Sequence, residues 1–198
     1  MRERELYVAG GCFWGTQAYL EKLPGVLATQ VGYANSAVDD PTYEDVCTGD
    51  TGAAECVRVR YDSDVIGLSL LVEAFLRTID PTSLNRQGND CGTQYRSGIY
   101  WTDDDDAFIV RSILAEMRYR SGADIVVEAE PLGNFWPAER YHQDYLKKNP
   151  GGYCHVDLSD VGRFISEHAS EFGRINRVVK LEPPRKRSGE SGDPSISC

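Results

Sequence analysis

No stretch of this chain approaches the ~18 consecutive apolar residues that a membrane-spanning helix requires. The best candidate, Ile66 to Leu76, is broken by Glu73. Positive charge is in deficit: 21 Lys and Arg stand against 31 Asp and Glu, a formal net charge of −10, and the pI is about 4.8. Such a chain repels phosphate backbones on average, so nucleic acid is excluded as a partner. The six cysteines include no Cys-x-x-Cys pair, which removes the commonest structural zinc pattern, and they are too sparse for a disulfide-scaffolded mini-protein. Glycine-rich phosphate loops, Gly-x-Gly-x-x-Gly turns and internal repeats are missing too. The opening Met1 to Glu5 lacks the apolar core of an export signal, and no membrane association is expected. The expected compartment is therefore the reducing cytosol, where a disulfide tends to be transient and catalytic.

What is present is one domain's worth of chain, 198 residues of which 41% are hydrophobic. Glu5 to Ala9 reads as a short apolar strand that runs through Gly10-Gly11-Cys12 into a helix over Phe13 to Lys22, stopped by Pro24-Gly25. Val26 to Ala34 and Ala54 to Tyr61 read as strands, with a long polar loop, Asn35 to Gly52, between them. Leu68 to Ile79 has helical spacing, Thr82 to Arg96 is a second long loop, and Ser97 to Trp101 is a strand. Thr102 and the four aspartates Asp103 to Asp106 read as the start of a helix through Arg120 rather than a calcium site, because negative charge suits a helix N-terminus. Ile125 to Glu130 is predicted as a strand, Pro137 to Lys148 as a helix with proline in its first turn and lysines in its last, and Ser159 to Glu171 as a further helix. Residues 1–179 form the expected single domain. Residues 180–198, with three prolines and few apolar side chains, read as a flexible C-terminal tail. Strands and helices mix without a regular alternation, which predicts an α+β sandwich.

Cys12 stands where a strand meets a helix, and there unpaired N–H groups and the helix dipole favour a thiolate. The alternative is a buried cysteine that packs as a small hydrophobe. Gly11-Cys12-Phe13-Trp14-Gly15 sets two large aromatics beside the sulfur and resembles the signature of the peptide methionine sulfoxide reductase A family. The likeness extends in family order through Pro41-Thr42-Tyr43, the run Cys47 to Gly52, Ala54-Glu55, Arg86 to Asp90, Gly92 to Ser97, Lys148-Asn149-Pro150 and Gly152-Tyr153-Cys154.

The resemblance implies a single-domain, two-layer α+β sandwich of a mixed sheet with helices, a ferredoxin-like plait with long irregular loops. It implies reduction of the S epimer of methionine sulfoxide, free or in oxidised proteins, with no bound cofactor and no metal. Cys12 would attack the sulfoxide sulfur, and Phe13 and Trp14 would wall the S-methyl group. Glu55 would supply the proton, with Tyr43 and Tyr95 on the oxygen and Asp90 in the same pocket. The resulting sulfenic acid condenses readily with a thiol, and Cys154 is the matched resolving cysteine. Thioredoxin would reduce the disulfide, with Cys198 on the tail as a candidate relay. Gln17, Ala53 and Cys91 depart from the residues usual in the family. Cys47 and Cys56 read as structural thiols. His142 and His155 lack the paired spacing of a zinc site and are assigned to the substrate groove. A cysteine hydrolase, a thiol peroxidase and a non-catalytic binder of oxidised methionine are the competing readings. A monomer is expected.

Overall fold

A computed structural model describes residues 1–173. The tail assigned to residues 180–198, and Cys198 with it, lie outside the described residues.

The chain begins with β1 (Glu3–Gly10), and the turn at Gly11-Cys12 feeds α1 (Phe13–Leu20). It continues through β2 (Val26–Ala34), α2 (Tyr43–Cys47), β3 (Ala54–Asp62) and α3 (Leu68–Leu76). A two-stranded hairpin, β4 (Arg86–Gln87) and β5 (Asp90–Cys91), leads through a tight turn at Thr93–Tyr95 to β6 (Ser97–Trp101). Then come α4 (Asp105–Ser121), β7 (Glu128–Pro131), β8 (Phe135–Pro137), α5 (Tyr145–Lys148) and α6 (Asp160–Glu167). The main sheet has the order β7-β6-β1-β3-β2-β8. Its four central strands, with α1 and α3 as the two crossovers, make the β-α-β-β-α-β arrangement of a ferredoxin-like plait, and among the described residues only β6 and β7 pair in parallel. The α+β expectation holds.

Alternation on the strands sends Leu6, Val8, Val31, Val57 and Val59 into one core with Phe13, Tyr19, Leu71, Phe75 and Phe164 from the helices. The other face of the sheet carries a smaller cluster of Tyr7, Ala9, Ala34, Cys56 and Tyr100. The aspartate run does open a helix: Asp105 and Asp106 lie in the first turn of α4, which ends on Gly122 in the left-handed region at φ 65°.

Three expectations change. The strand predicted at Ile125 to Glu130 sits at Glu128–Pro131, because pairing with β6 begins only at Gly98 and Glu128. The predicted helix over Pro137 to Lys148 shrinks to Tyr145–Lys148. Pro137 closes a strand paired with Gly32, Gln143 spends its side-chain amide on the backbone of Val31 (3.0 and 2.9 Å), and Asp144 turns to φ 53°. Finally, the long polar loops hold structure. α2 starts at a capping box in which Thr42 and Asp45 exchange hydrogen bonds, and the second loop folds into the β4-β5 hairpin.

Candidate active site

The site is assembled at the β1-α1 junction. Gly11 has φ 72°, and a Cβ there would lie 2.5 Å from Gln87 Cβ, so the turn delivering Cys12 needs glycine. Cys12 is the N-cap of α1 and is buried. Its thiol is nevertheless pushed up, first by burial and then by Glu55, with the Trp14 N–H opposing. The dipole argument for a standing thiolate loses to desolvation: at rest Cys12 holds its proton.

Glu55, the second residue of β3, lies directly across from Tyr33 on β2 and is 2% exposed. The Phe13 N–H donates to its Oε2 at 3.1 Å. Burial pushes its carboxyl up to about 8, against that N–H and with a further push from Asp90. A carboxyl so placed is protonated at neutral pH and able to donate. Tyr43, the first residue of α2, and Tyr95, which ends the turn before β6, have hydroxyls raised by burial, and Glu55 opposes the ionisation of both. Both therefore stay as hydroxyl donors in one cluster with Glu55.

Phe13 and Trp14 leave the start of α1 toward an aromatic group centred on His142. The Trp14 indole N–H donates to His142 Nδ1 at 3.2 Å, and Trp14 stacks on Tyr145 with centroids 3.7 Å apart and planes 12° from parallel. Phe13 and Tyr43 meet the same imidazole at 5.2 and 4.6 Å. Burial lowers His142, so it remains a neutral acceptor for the indole. Glu139 accepts from Tyr33 Oη at 2.8 Å and from the Tyr43 N–H at 2.7 Å, tying α2 to the sheet.

Cys154 lies opposite the first turn of α1. Its thiol donates to the Val156 carbonyl at 3.3 Å, and its Sγ would stand 2.9 Å from a Cβ on Gly15, three residues beyond Cys12. Burial raises this thiol too. Cys12 and Cys154 are both free thiols. Asp90, on β5, comes within 3.9 Å of His155. Thus Cys12, Phe13, Trp14, Tyr43, Glu55, Asp90, Tyr95 and Cys154 converge, although eight residues from five places in the chain had to be brought together. Glu139 was missed by sequence reasoning, and the central position of His142 was not foreseen. The signal available was an acid and a histidine three residues apart, which reads equally well as a solvated helix face. Among the described residues no group of three or more His, Cys, Asp or Glu is arranged to hold a metal, and no helix is long and apolar enough to cross a membrane.

The family model for peptide methionine sulfoxide reductase matches residues 4–171. The chain belongs to the peptide methionine sulfoxide reductase family. Among curated reductases, MsrA of Mycoplasma pneumoniae is 50% identical over 153 residues, covering 77% of this chain and 98% of the relative. MsrA of Clostridium perfringens is 49% identical over 155 residues, covering 78% and 99%. Of solved structures, reduced Mxr1 from Saccharomyces cerevisiae superposes with a TM-score of 0.75 at 41% identity, covering 79% of this chain and 92% of Mxr1. Mxr1 is also known in complex with Trx2, matched at a TM-score of 0.52 and 29% identity over 73% of this chain and 85% of Mxr1. The matched residues include Cys12, Phe13, Trp14, Tyr43, Glu55, Asp90, Tyr95 and Cys154, whereas Cys198 lies beyond them.

Proposed function

We propose that the chain reduces the S epimer of methionine sulfoxide, free and in oxidised proteins, with Cys12 as nucleophile and thioredoxin as the final reductant. The observation that carries this reading is a buried Glu55 that accepts the backbone N–H of the residue following a buried cysteine, where burial favours its protonated form.

Phe13 and Trp14 receive the S-methyl group, with the indole fixed by His142 and Tyr145. The sulfoxide oxygen faces Glu55, Tyr43 and Tyr95, all proton-bearing, which stabilise the charge that develops as the S–O bond weakens. Asp90 lines the same pocket. Cys12 attacks the substrate sulfur and forms an S–S bond to it, as the Cys12 proton passes to the sulfoxide oxygen through Glu55. The substrate's S–O bond then breaks as that hydroxyl oxygen bonds to the Cys12 sulfur, and the S–S bond breaks with its electron pair returning to the substrate sulfur, so methionine leaves and Cys12 is left as a sulfenic acid. Cys154 then displaces that hydroxyl to give the Cys12–Cys154 disulfide and water. The Gly151-Gly152 pair just before Cys154 gives its segment the backbone freedom for this approach.

Mxr1 has been captured with Trx2, and that complex is the basis for assigning thioredoxin as the recycling partner here, with Cys198 as candidate relay. Free thiols at Cys12, Cys47, Cys56, Cys91 and Cys154 fit work in the reducing cytosol. The test is turnover of separated S and R methionine sulfoxide with thioredoxin, its reductase and NADPH. Sustained turnover of the S form alone supports the reading. Turnover of peroxide instead would favour the thiol peroxidase, and binding without turnover would favour a capture module.

A further inference from the structure

His155 follows Cys154 directly, and beyond the expectation that it lines the substrate groove it has no role in the steps above. The Cys154 sulfur faces Gly15, whereas the His155 ring faces the turn that carries Cys12: its Cε1 would stand 3.2 Å from a Cβ on Gly11, and its own Cβ 3.0 Å from one on Gly88. The side chain is 5% exposed, and its Nδ1 stands 3.9 Å from Asp90 Oδ2. Neither ring nitrogen nor that carboxylate oxygen makes a well-formed hydrogen bond among the described residues, and the nearest backbone partner of the ring is Gly10. Three such atoms together are costly unless some further group engages them. The separation is beyond hydrogen-bond reach, yet a modest side-chain rotation or one intervening oxygen atom would close it. The reaction generates such an oxygen, the hydroxyl that must leave Cys12.

That step has two chemical difficulties. The Cys154 thiol is raised by burial, so it attacks poorly until a base takes its proton. Hydroxide is a poor leaving group until it gains one. His155 is kept neutral by burial, with Asp90 opposing, and can accept a proton. Asp90 in turn lies near enough to Cys12, Glu55, Tyr95 and Tyr153 for its charge to oppose the ionisation of each, so the pair sits between the surroundings of the two cysteines.

We propose that His155 and Asp90 carry the proton in the step that closes the Cys12–Cys154 disulfide, an inference that rests on the reductase reading above. The S–O bond of the Cys12 sulfenic acid breaks and the S–S bond forms. The Cys154 sulfur is oxidised and the Cys12 sulfur is reduced. The proton lost by the Cys154 thiol, once its sulfur leaves Gly15 for the Cys12 turn where the His155 ring lies, is taken by His155 and passed by way of Asp90 to the departing hydroxyl, which leaves as water.

The experiment is a single turnover with S methionine sulfoxide and no reductant, in which methionine release and thiol loss are followed separately across the neutral pH range. In His155→Gln, disulfide closure should fall roughly 10²-fold behind methionine release. Sulfenic acid should then accumulate and be trapped by dimedone, and the pH dependence of closure seen in the wild type should flatten. Closure keeping pace with methionine release in a folded His155→Gln protein overturns the relay. Should that variant fail to fold, the wild type decides: closure that is independent of pH and shows no solvent isotope effect overturns the proposal, whereas a pH break with an isotope effect on closure alone upholds it. A wild type that releases no methionine would instead sink the reductase reading itself.

Discussion

Glu55 Oε2 accepts the Phe13 N–H at 3.1 Å, with both residues buried. This bond joins β3 to the first turn of α1 and sets a carboxylic acid one residue from the Cys12 backbone. It is too weak an offset to ionise the acid, because burial dominates and the carboxyl stays raised to about 8. Two consequences follow for pH, one for rate and one for stability.

Methionine release should be constant through neutral pH and fall about tenfold per unit above pH 8, as Glu55 loses the proton it must donate. Glu55→Gln should lower the rate roughly 10²–10⁴-fold and remove that break, as read by rapid quench.

The same shift couples to folding. The folded state holds the Glu55 proton more tightly than the unfolded chain, whose carboxyl titrates near 4.5, so stability is highest below that value and falls as pH rises from 4.5 toward 8. A shift of this size corresponds to a loss on the order of 5 kcal/mol. Urea titrations at acid and alkaline pH should show this slope in the wild type and lose most of it in Glu55→Gln.

Trp14 is held by a stack and a hydrogen bond, so its removal should cost substrate affinity more than chemistry. Trp14→Ala should raise KM about tenfold, the equivalent of ~1.4 kcal/mol of lost aromatic contact, with a smaller change in kcat. Steady-state kinetics on a methionine sulfoxide peptide separate the two.

Gly15 bears on the second cysteine and not on the first. A Cβ at this position would stand 2.9 Å from both Cys154 Sγ and Val156 Cγ2. Gly15→Ala should push the Cys154 segment away and slow disulfide closure by up to ~10²-fold. Thiol counting after one turnover should find the sulfenic acid in place of the disulfide.

Much of this was legible in the sequence, and the failures share a cause. β2 falls at Val26–Ala34 and β6 at Ser97–Trp101 as predicted, because their alternation and flanking turns are local signals. α2 could have been found from Thr42-x-x-Asp45, a capping pattern that lay inside an otherwise turn-rich run. The segment after Pro137 was misread because its partners are remote. Gln143 bonds Val31, and Asp144 donates its N–H to Gln17 at 3.0 Å; neither contact leaves a local trace. Likewise the motif positions of Cys12 and Glu55 could be read, and so could the proton kept on Glu55 by burial beside the strand, but the proton on Cys12 could not. A helix N-terminus suggested a thiolate, and only the folded structure shows burial outweighing it.

The remote Gln17 contact is itself testable. Gln17 is buried, accepts from Asp144, and donates to Thr29 Oγ1 at 3.3 Å. Gln17→Leu strands both partners and should cost about 1–3 kcal/mol of stability in urea titration.

The most direct test mixes stoichiometric enzyme with separated S or R methionine sulfoxide, in the absence of reductant, and weighs the methionine formed. The wild type should release methionine from the S form alone, Cys154→Ser should do the same and stop at a trappable sulfenic acid on Cys12, and Cys12→Ser should release none. Methionine formed by Cys12→Ser, or none formed by the wild type from either epimer, would contradict Cys12 attack on the sulfoxide.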